Sequence, residues 1–490
     1  MTTAVEQDIA HPWATSLITK YQWVLLAGIT LLAFALRFYK LGEWSFWIDE
    51  IYTINRAQAH YSSLALTLRN IPPHTNWVPV SLLLISGVTN VLGISEWSVR
   101  LVPAIIGVLS IPILYFPIRS VFGSREALVA VLLLAVSPWH LTWSQNGRFY
   151  TALLLFYTLA LLAFHIGLER DRSRYLLLGW LFFYLAMSER IFALFLAPVL
   201  AVYLMLLWLL PFAKPPGIHR RNLFILVLPV VVGLLIEAYS FITTGNSRFF
   251  GDFGWFFLYR NYTLIRLLGV IGFDIGFAFI CLAVFGGFFL LIQKSRIGLL
   301  LFIGALLPLG ILLLLSFFMF TQDRYLFVTL PSWIILAAMA IKAIEDNLRH
   351  NRTWLALAVL AMLVAEAAGA HLLYYRVNEG NRRDWRSAFT LVQEQAKDDD
   401  IVVAYWPEFG PYYLDRDIAA WEDTTIEMVV KSDYRTWFVV DSETVWGDLR
   451  KKQWIEQNAA LIDVFYLRMP EDHHIRVYLY DPARAAQPDS

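Results

Sequence analysis

Cysteine is almost absent. The 490-residue chain carries one, Cys281, so no internal disulfide can form and the redox compartment cannot be read from the sequence. Charge is scarce as well: Asp, Glu, Lys and Arg make up 16%, where a water-soluble chain carries about 25%. The 39 cations balance the 39 carboxylates, which removes the electrostatic footprint of a nucleic-acid binder or of a protein built for an acidic partner. Internal repeats and low-complexity tracts are missing. So is a cleavable signal: the opening "MTTAVEQDIAHPWATSLITKYQ" is polar and runs straight into a long apolar segment that reads as signal anchor and first span. What the chain has is hydrophobicity, 58% of its residues with a mean hydropathy of +0.56. That composition points to the bilayer.

A membrane helix needs about 20 mainly apolar residues, with a range near 17 to 25. Runs of that kind fall at roughly 22–38, 101–118, 126–140, 150–168, 175–188, 190–210, 222–242, 266–292, 297–317, 325–343 and 353–372, about 11 in all. The apolar stretch "VPVSLLLISGVTNVLG" (78–93) is interrupted by Ser86, Gly87, Thr89 and Asn90 and reads as an interfacial or re-entrant helix. Excess positive charge tests that choice. With the N-terminus inside, the inside loops hold Arg119 and Arg125; Arg170, Arg172 and Arg174; Lys214, Arg220 and Arg221; Lys294 and Arg296; Lys342, Arg349 and Arg352. Beyond the large first loop, the outside holds only Arg148, Arg190, Arg248, Arg260, Arg266 and Arg324. Counting 78–93 as a span would put "IHRR" and "ERDRSR" outside, against the rule.

The expected organisation is a cytoplasmic N-terminus (1–21), a polytopic α-helical membrane domain (22–372) with a large first outside loop (39–100), an extracytoplasmic α/β domain (373–482) and a disordered tail (483–490). In the α/β part, charges become frequent. Short β-prone runs "DIVVAYW", "RTWFVVD" and "IRVYLYD" alternate with helix-like stretches such as "WRSAFTLVQEQAK".

The unusual polar residues collect on the outside. In "WSFWIDEIYTINRA" (44–57) the carboxylates Asp49 and Glu50 stand side by side among Trp44, Phe46, Trp47 and Tyr52; the loop also carries "IPPHTNW" (71–77) and closes at Arg100. The second outside loop, "SPWHLTWSQNGRFY", holds His140, Gln145, Arg148 and Tyr150, and Glu189 with Arg190 marks the next outside turn. "RFFGDFGWFFLYRNYTLIR" and "FTQDRYLF" follow, the latter with Arg324 and Tyr325. Within the spans, Glu237, Asp274 and Glu366 lie nearer the outside ends, at depths of about 9–12 Å. Charge at such depth is costly and ordinarily faces a cavity or a partner. A polar, outward-facing cavity at the membrane interface is the expectation.

Plainer roles exist for many of these residues. Trp44 and Trp47 suit an interfacial aromatic belt, Arg248 and Arg260 suit lipid headgroups, and Asp274 and Glu366 suit ordinary ion pairs. The collected arginines with a nearby carboxylate nevertheless suggest a chemistry. Arg suits a lipid phosphate by charge and forked geometry, and a carboxylate can act as general base on a hydroxyl. Glycosyl transfer from a lipid-phosphate sugar needs both.

At these residues the chain resembles a known family. "RFYKLGEWSFWIDEIYT", "LGISEWSVRLVPAIIGVLSIPILYFPIRSVFGSREALVAVLLLAVSPWHLTWSQNGRFYTALLLF" and "DRYLFVTLPSWIILAAMAI" are similar, in order and spacing, to the GT-C glycosyltransferases, specifically the protein O-mannosyltransferase-like group (family 39) and its smaller bacterial members. The resemblance covers the membrane part. It implies a GT-C fold in a bacterial plasma membrane, a polyprenyl-phosphate-linked sugar donor, transfer to a hydroxyl of a protein, lipid or glycan on the outer face, and inversion at the anomeric carbon. It implies that Asp49 acts on the acceptor hydroxyl with Glu50 supporting substrate binding, and that Arg324, in the family's "RY" before a late span, holds the donor phosphate. Arg100 matches the Arg that closes the first loop, and Arg148 and Tyr150 match a recurring second-loop motif. The remaining cavity candidates are Tyr325, His140, Gln145, Glu189, Arg190, Glu237 and Asp274.

Two departures stand out. The β-trefoil domain of eukaryotic protein mannosyltransferases has no counterpart. The second loop also lacks the carboxylates found in the relatives that transfer aminoarabinose to lipid A. No cofactor is named by the sequence: Asp49 and Glu50 could supply oxygens to a divalent metal ion, without a ligand cluster of convincing spacing. The sequons at Asn261 and Asn351 read as chance. The rival reading is a flippase or transporter of lipid-linked sugars, which expects polar residues at both surfaces, whereas the inside halves of these spans are almost purely apolar. A third, a scaffold or sensor, needs far fewer spans.

Overall fold

The computed structural model describes residues 12–63, 79–245, 264–347, 353–422, 425–432, 434–441, 449–467 and 474–485. The stretch 71–77, Arg248, Arg260, the two sequon asparagines, the end of the tail and the side chain of Arg266 lie outside them. The chain divides into two compact units: Met1–Tyr39, His60–Val88 and Arg100–Gly369 form the first, and Lys40–Ala59, Thr89–Val99 and Ala370–Ser490 the second.

Helices make up the first unit and its connections. In chain order they are α1 (Pro12–Phe38), α2 (Ile48–Tyr61), α3 (Val80–Leu92), α4 (Glu96–Phe122), α5 (Ser124–Val136), α6 (Pro138–Ser144), α7 (Tyr150–Glu169) and α8 (Ser173–Glu189). There follow α9 (Leu196–Leu209), α10 (Arg220–Thr244), α11 (Leu264–Ile275), α12 (Phe277–Ile292), α13 (Arg296–Leu315), α14 (Leu330–Asn347) and α15 (Thr353–Arg376). Short 3-10 turns, Ile191–Phe195 and Asp323–Thr329, lead into α9 and α14. Among the described residues 8 helices are long and apolar enough to cross a membrane, or up to 10 if each of two bent pairs is one span. The chain is a multi-pass membrane protein. The remaining expected span, 175–188, is the 17-residue helix α8. The doubtful stretch 78–93 forms α3, 13 residues long; at 1.5 Å per residue it reaches about 20 Å, short of the roughly 30 Å hydrocarbon core.

In lipid every backbone group must be satisfied within the chain, and helix association rests on close packing. Both constraints are visible here. The apolar stretches of α7 and of Asp323–Asp346 are 89% buried and form the centre of the unit, while that of α10 is 11% buried and faces outward. Gly286 of α12 lies so near α14 that a Cβ there would stand 2.0 Å from the Leu336 carbonyl oxygen.

Two expected spans, 126–140 and 266–292, are broken rather than straight. α5 and α6 bend by 59° at Ser137–Pro138, where Ser137 caps α6 and Pro138 occupies its first turn. α11 and α12 bend by 84° at Gly276, whose φ of 97° favours glycine.

The second unit contains a mixed five-stranded sheet. Its strands are β1 (Ile401–Ala404), β2 (Ala419–Ala420), β3 (Thr436–Asp441), β4 (Ala460–Phe465) and β5 (Ile475–Tyr480), in the order β2-β1-β3-β5-β4. β1 pairs parallel with β2 and β3, while β5 pairs antiparallel with β3 and β4. Helices α16 (Trp385–Gln395), α17 (Gly410–Tyr413), α18 (Thr425–Ser432), α19 (Leu449–Asn458) and α20 (Pro482–Ala485) complete the unit. Every residue of β3 is buried, as a central strand covered on both faces requires. Val429 of α18 and Ile455 of α19 join Val403, Phe438, Val440 and Tyr478 in the core. The first-loop segment 40–59, with α2, is part of this unit and hydrogen-bonds to residues more than 300 positions away.

Candidate functional site

In the second unit, the two neighbouring carboxylates have different surroundings. Both occupy the first turn of α2, where the helix dipole favours negative charge. Glu50 is fully buried. Its Oε2 accepts the Trp47 backbone N–H at 2.9 Å, while the Trp47 carbonyl accepts from the Glu50 N–H at 2.8 Å. This reciprocal arrangement is one half of a capping box. Arg382, itself buried, places Nε 4.0 Å from the same Glu50 oxygen and its guanidinium 5.6 Å from the Trp47 ring centre. Asp49 remains partly exposed. One turn on, Tyr52 reaches Glu408 at 3.4 Å, and burial, then the Glu408 and Asp49 carboxylates, push its phenol above the ordinary value. Asp49 is thus the accessible carboxylate, and Glu50 the one that holds the helix start.

The segment before α2 is anchored through polar contacts, most of them partly buried. The Phe46 N–H donates to the Tyr413 hydroxyl at 2.7 Å, and that hydroxyl donates to Glu96 at 2.7 Å. Arg386 binds Glu96 at 2.5 Å and the Glu43 carbonyl at 3.2 Å. Ser45 donates to Asp384, the cap of α16. Trp44 lies over Gly380, where any Cβ would meet its ring at 2.4 Å.

In the first unit, the structure draws three arginine-bearing segments together. The guanidinium groups of Arg148 and Arg190 lie 5.1 and 5.5 Å from the Phe149 ring centre. Phe192, two residues beyond Arg190, stacks on Tyr325 at 4.2 Å, next to Arg324. Tyr150 meets Phe327 edge-on at 6.2 Å and lies on Trp143 at 3.9 Å. Aromatic contacts therefore bring the segments of Arg148, Arg190 and Arg324 into one neighbourhood. Arg100, 1% exposed, lies near the start of α4.

Several other candidates from the sequence make contacts within the first unit. The Gln145 amide donates to the carbonyls of Arg37 at 3.0 Å and Tyr39 at 2.7 Å, closing the end of α1. His140 accepts from Arg37 at 2.7 Å, and Arg37 also donates to the Ala135 carbonyl at 2.8 Å, one of the backbone groups freed at the α5–α6 break. Glu189, 4% exposed, accepts the Ser81 N–H at 2.9 Å and the Ser81 hydroxyl, capping α3 from a different helix. The Asp274 carboxylate lies near that of Asp323, and the Glu366 carboxylate lies beside Gly276 at the start of α12. Glu237 is partly buried in α10.

Arg37, Asp323 and Arg382 were not singled out by the sequence reading. Asp323 stands in the quoted "FTQDRYLF"; Arg37 and Arg382 have no local signal, because their partners are 98 and 332 positions away. Among the described residues no three His, Cys, Asp or Glu side chains gather as a metal site. Asp49 and Glu50 do not fit a shared ion either, since Glu50 is already bound to Trp47 and faces Arg382.

A family model described as dolichyl-phosphate-mannose-protein mannosyltransferase matches residues 73–236, less than half of the chain. No curated protein matches. The structure is similar to that of ArnT from Cupriavidus metallidurans in the apo state, with a TM-score of 0.56 at 16% identity over 96% of this chain and 100% of that one. The same protein bound to undecaprenyl phosphate gives 0.53 at 14% identity, with the same coverage. The archaeal oligosaccharyltransferase AglB from Archaeoglobus fulgidus, in complex with an inhibitory peptide and a dolichol-phosphate, gives 0.53 at 15% identity over 94% of this chain and 74% of that one. At these identities the likeness is one of fold.

Proposed function

We propose that this protein is an integral-membrane glycosyltransferase that moves a sugar from a polyprenyl-phosphate donor to a hydroxyl acceptor at the outer face of the membrane, with inversion. Counting α8 and each bent pair as a crossing gives about 11 spans, and with the N-terminus inside an odd number supports an outward-facing second unit. Asp49 takes the proton of the acceptor hydroxyl. The acceptor oxygen attacks the anomeric carbon, the bond from that carbon to the phosphate oxygen breaks, and polyprenyl phosphate departs. Arg324, Arg148 and Arg100 hold the phosphate, with Arg190 beside Arg148, so that the negative charge left on the departing group meets fixed cations. Glu50 acts by holding the first turn of α2, and Asp49 with it. Hexoses such as mannose are the donor sugars to try first.

The observation that carries this reading is the aromatic latch, Phe149 between Arg148 and Arg190 and Phe192 on Tyr325, which draws arginine-bearing segments together. It occurs in a fold shared with proteins captured with undecaprenyl phosphate and dolichol-phosphate. The test is to incubate the purified full chain with a panel of polyprenyl-phosphate sugars and a membrane extract as source of acceptor. A sugar covalently transferred from one donor supports the reading. Movement of intact sugar lipids across liposomes, without a covalent product, supports the flippase instead.

A further inference from the structure

At the end of the first unit that the charge pattern places inside, the end of α4, the end of α7 and the turn into α13 border an open groove of about 440 Å³. Its lining is cationic. Arg170 is pinned by a 2.7 Å bond to the Ser120 carbonyl. Lys294 sits exposed at φ 55° in the turn, without an ion-pair partner among the described residues. Arg296 is already matched by Glu169, at 2.6 and 2.5 Å, so Arg170 and Lys294 supply the surplus charge. The groove also contains the first residues of α13, a 20-residue helix whose N-terminus favours anions. His165 also lines the groove, 4% exposed, with no hydrogen-bond partner at its buried Nδ1. Buried polar atoms in folded proteins are nearly always paired.

We propose that this groove is a phosphate-ester site that takes the headgroup of an anionic phospholipid from the inner leaflet, where basic pockets between helix ends recognise such lipids. It lies at the opposite end of the spans from the donor-binding arginines proposed above, and it does not depend on them.

The test is native mass spectrometry of the full chain in detergent, with phosphatidylglycerol or phosphatidylcholine added, for wild type and for the Arg170→Ala/Lys294→Ala double variant. This variant leaves the Glu169–Arg296 pair intact, and Lys294→Ala alone serves if the double variant melts early. Wild type should retain phosphatidylglycerol over phosphatidylcholine, and the double variant should lose at least about tenfold in that retention, one charge-assisted hydrogen bond's worth. Inorganic phosphate is tested in parallel by phosphorus NMR. Variant-sensitive binding of phosphate without lipid retention would keep the site and assign it to free phosphate. Equal retention by wild type and variant, with no phosphate binding, would overturn the proposal.

Discussion

Glu50 and Arg382 lie 332 positions apart in sequence, yet both side chains are buried, with Nε 4.0 Å from Oε2. The pair fixes the start of α2, and so the backbone of Asp49, to the segment that enters the sheet unit.

Removing one member of such a pair leaves the other charge buried without its counterpart. Glu50→Gln is expected to destabilise the second unit by about 3 kcal/mol. Combining it with Arg382→Gln should recover part of that loss. A thermal-shift double-mutant cycle checks the coupling; additive losses would show that the two residues do not act as a pair.

The arginine neighbourhood separates binding from chemistry. Arg324→Ala removes a charge-assisted contact to phosphate and should raise the donor KM about 10- to 100-fold. Phe149→Leu, which removes the ring between Arg148 and Arg190 but no charge, should cost about fivefold. Steady-state kinetics with a short-chain donor measure both. An unchanged KM in Arg324→Ala removes that residue from donor binding.

Gln145 caps the end of α1 from the residue that ends α6. Gln145→Leu should lower stability by about 1–3 kcal/mol by withdrawing a donor from the buried carbonyl of Arg37 and the partly buried one of Tyr39, and the melting temperature in detergent reads it. Retained stability with lost transfer would instead place Gln145 at the substrate.

Tyr413 gives the second unit a pH limit. Burial, reinforced by the nearby Glu96 carboxylate, raises its phenol above the ordinary value. A raised folded pKa means that the contribution to stability is complete below the unfolded value, about 10, and is lost as pH rises beyond it. Stability should therefore fall above pH of about 10, and less steeply in Tyr413→Phe, whose baseline is lower because Phe46 loses its acceptor. Denaturation midpoints between neutral and alkaline pH decide this.

Much of the fold is legible locally. Long apolar runs announce spans because a helix in lipid satisfies its own backbone, and "RTWFVVD" and "IRVYLYD" contain strands at 436–441 and 475–480. Strand β4 was not anticipated: "ALIDVF" lies at the edge of the sheet, largely exposed and irregular at Asp463. Nor were the breaks at Ser137 and Gly276, since hydropathy averaged over a span is blind to one turn-forming residue. Among the candidate residues, the sequence supplied the adjacent carboxylates and the outer arginines. The resemblance assigned Asp49 and Glu50 different roles, but the residues alone do not show the buried partner at Arg382 that distinguishes Glu50, because a helix start shows its cap but not its distant neighbours. The same holds for Gln145 and Glu189, polar residues near span ends that close the backbones of α1 and α3.

The central claim is that Asp49 is the base of a sugar transfer from a polyprenyl-phosphate donor. The most direct measurement is release of polyprenyl phosphate from synthetic polyprenyl-phosphate sugars, with purified wild type and Asp49→Asn side by side and a membrane extract supplying acceptor. The account predicts release by wild type and none above background by Asp49→Asn, with both proteins equally folded by thermal shift. Equal release by the two proteins would contradict it.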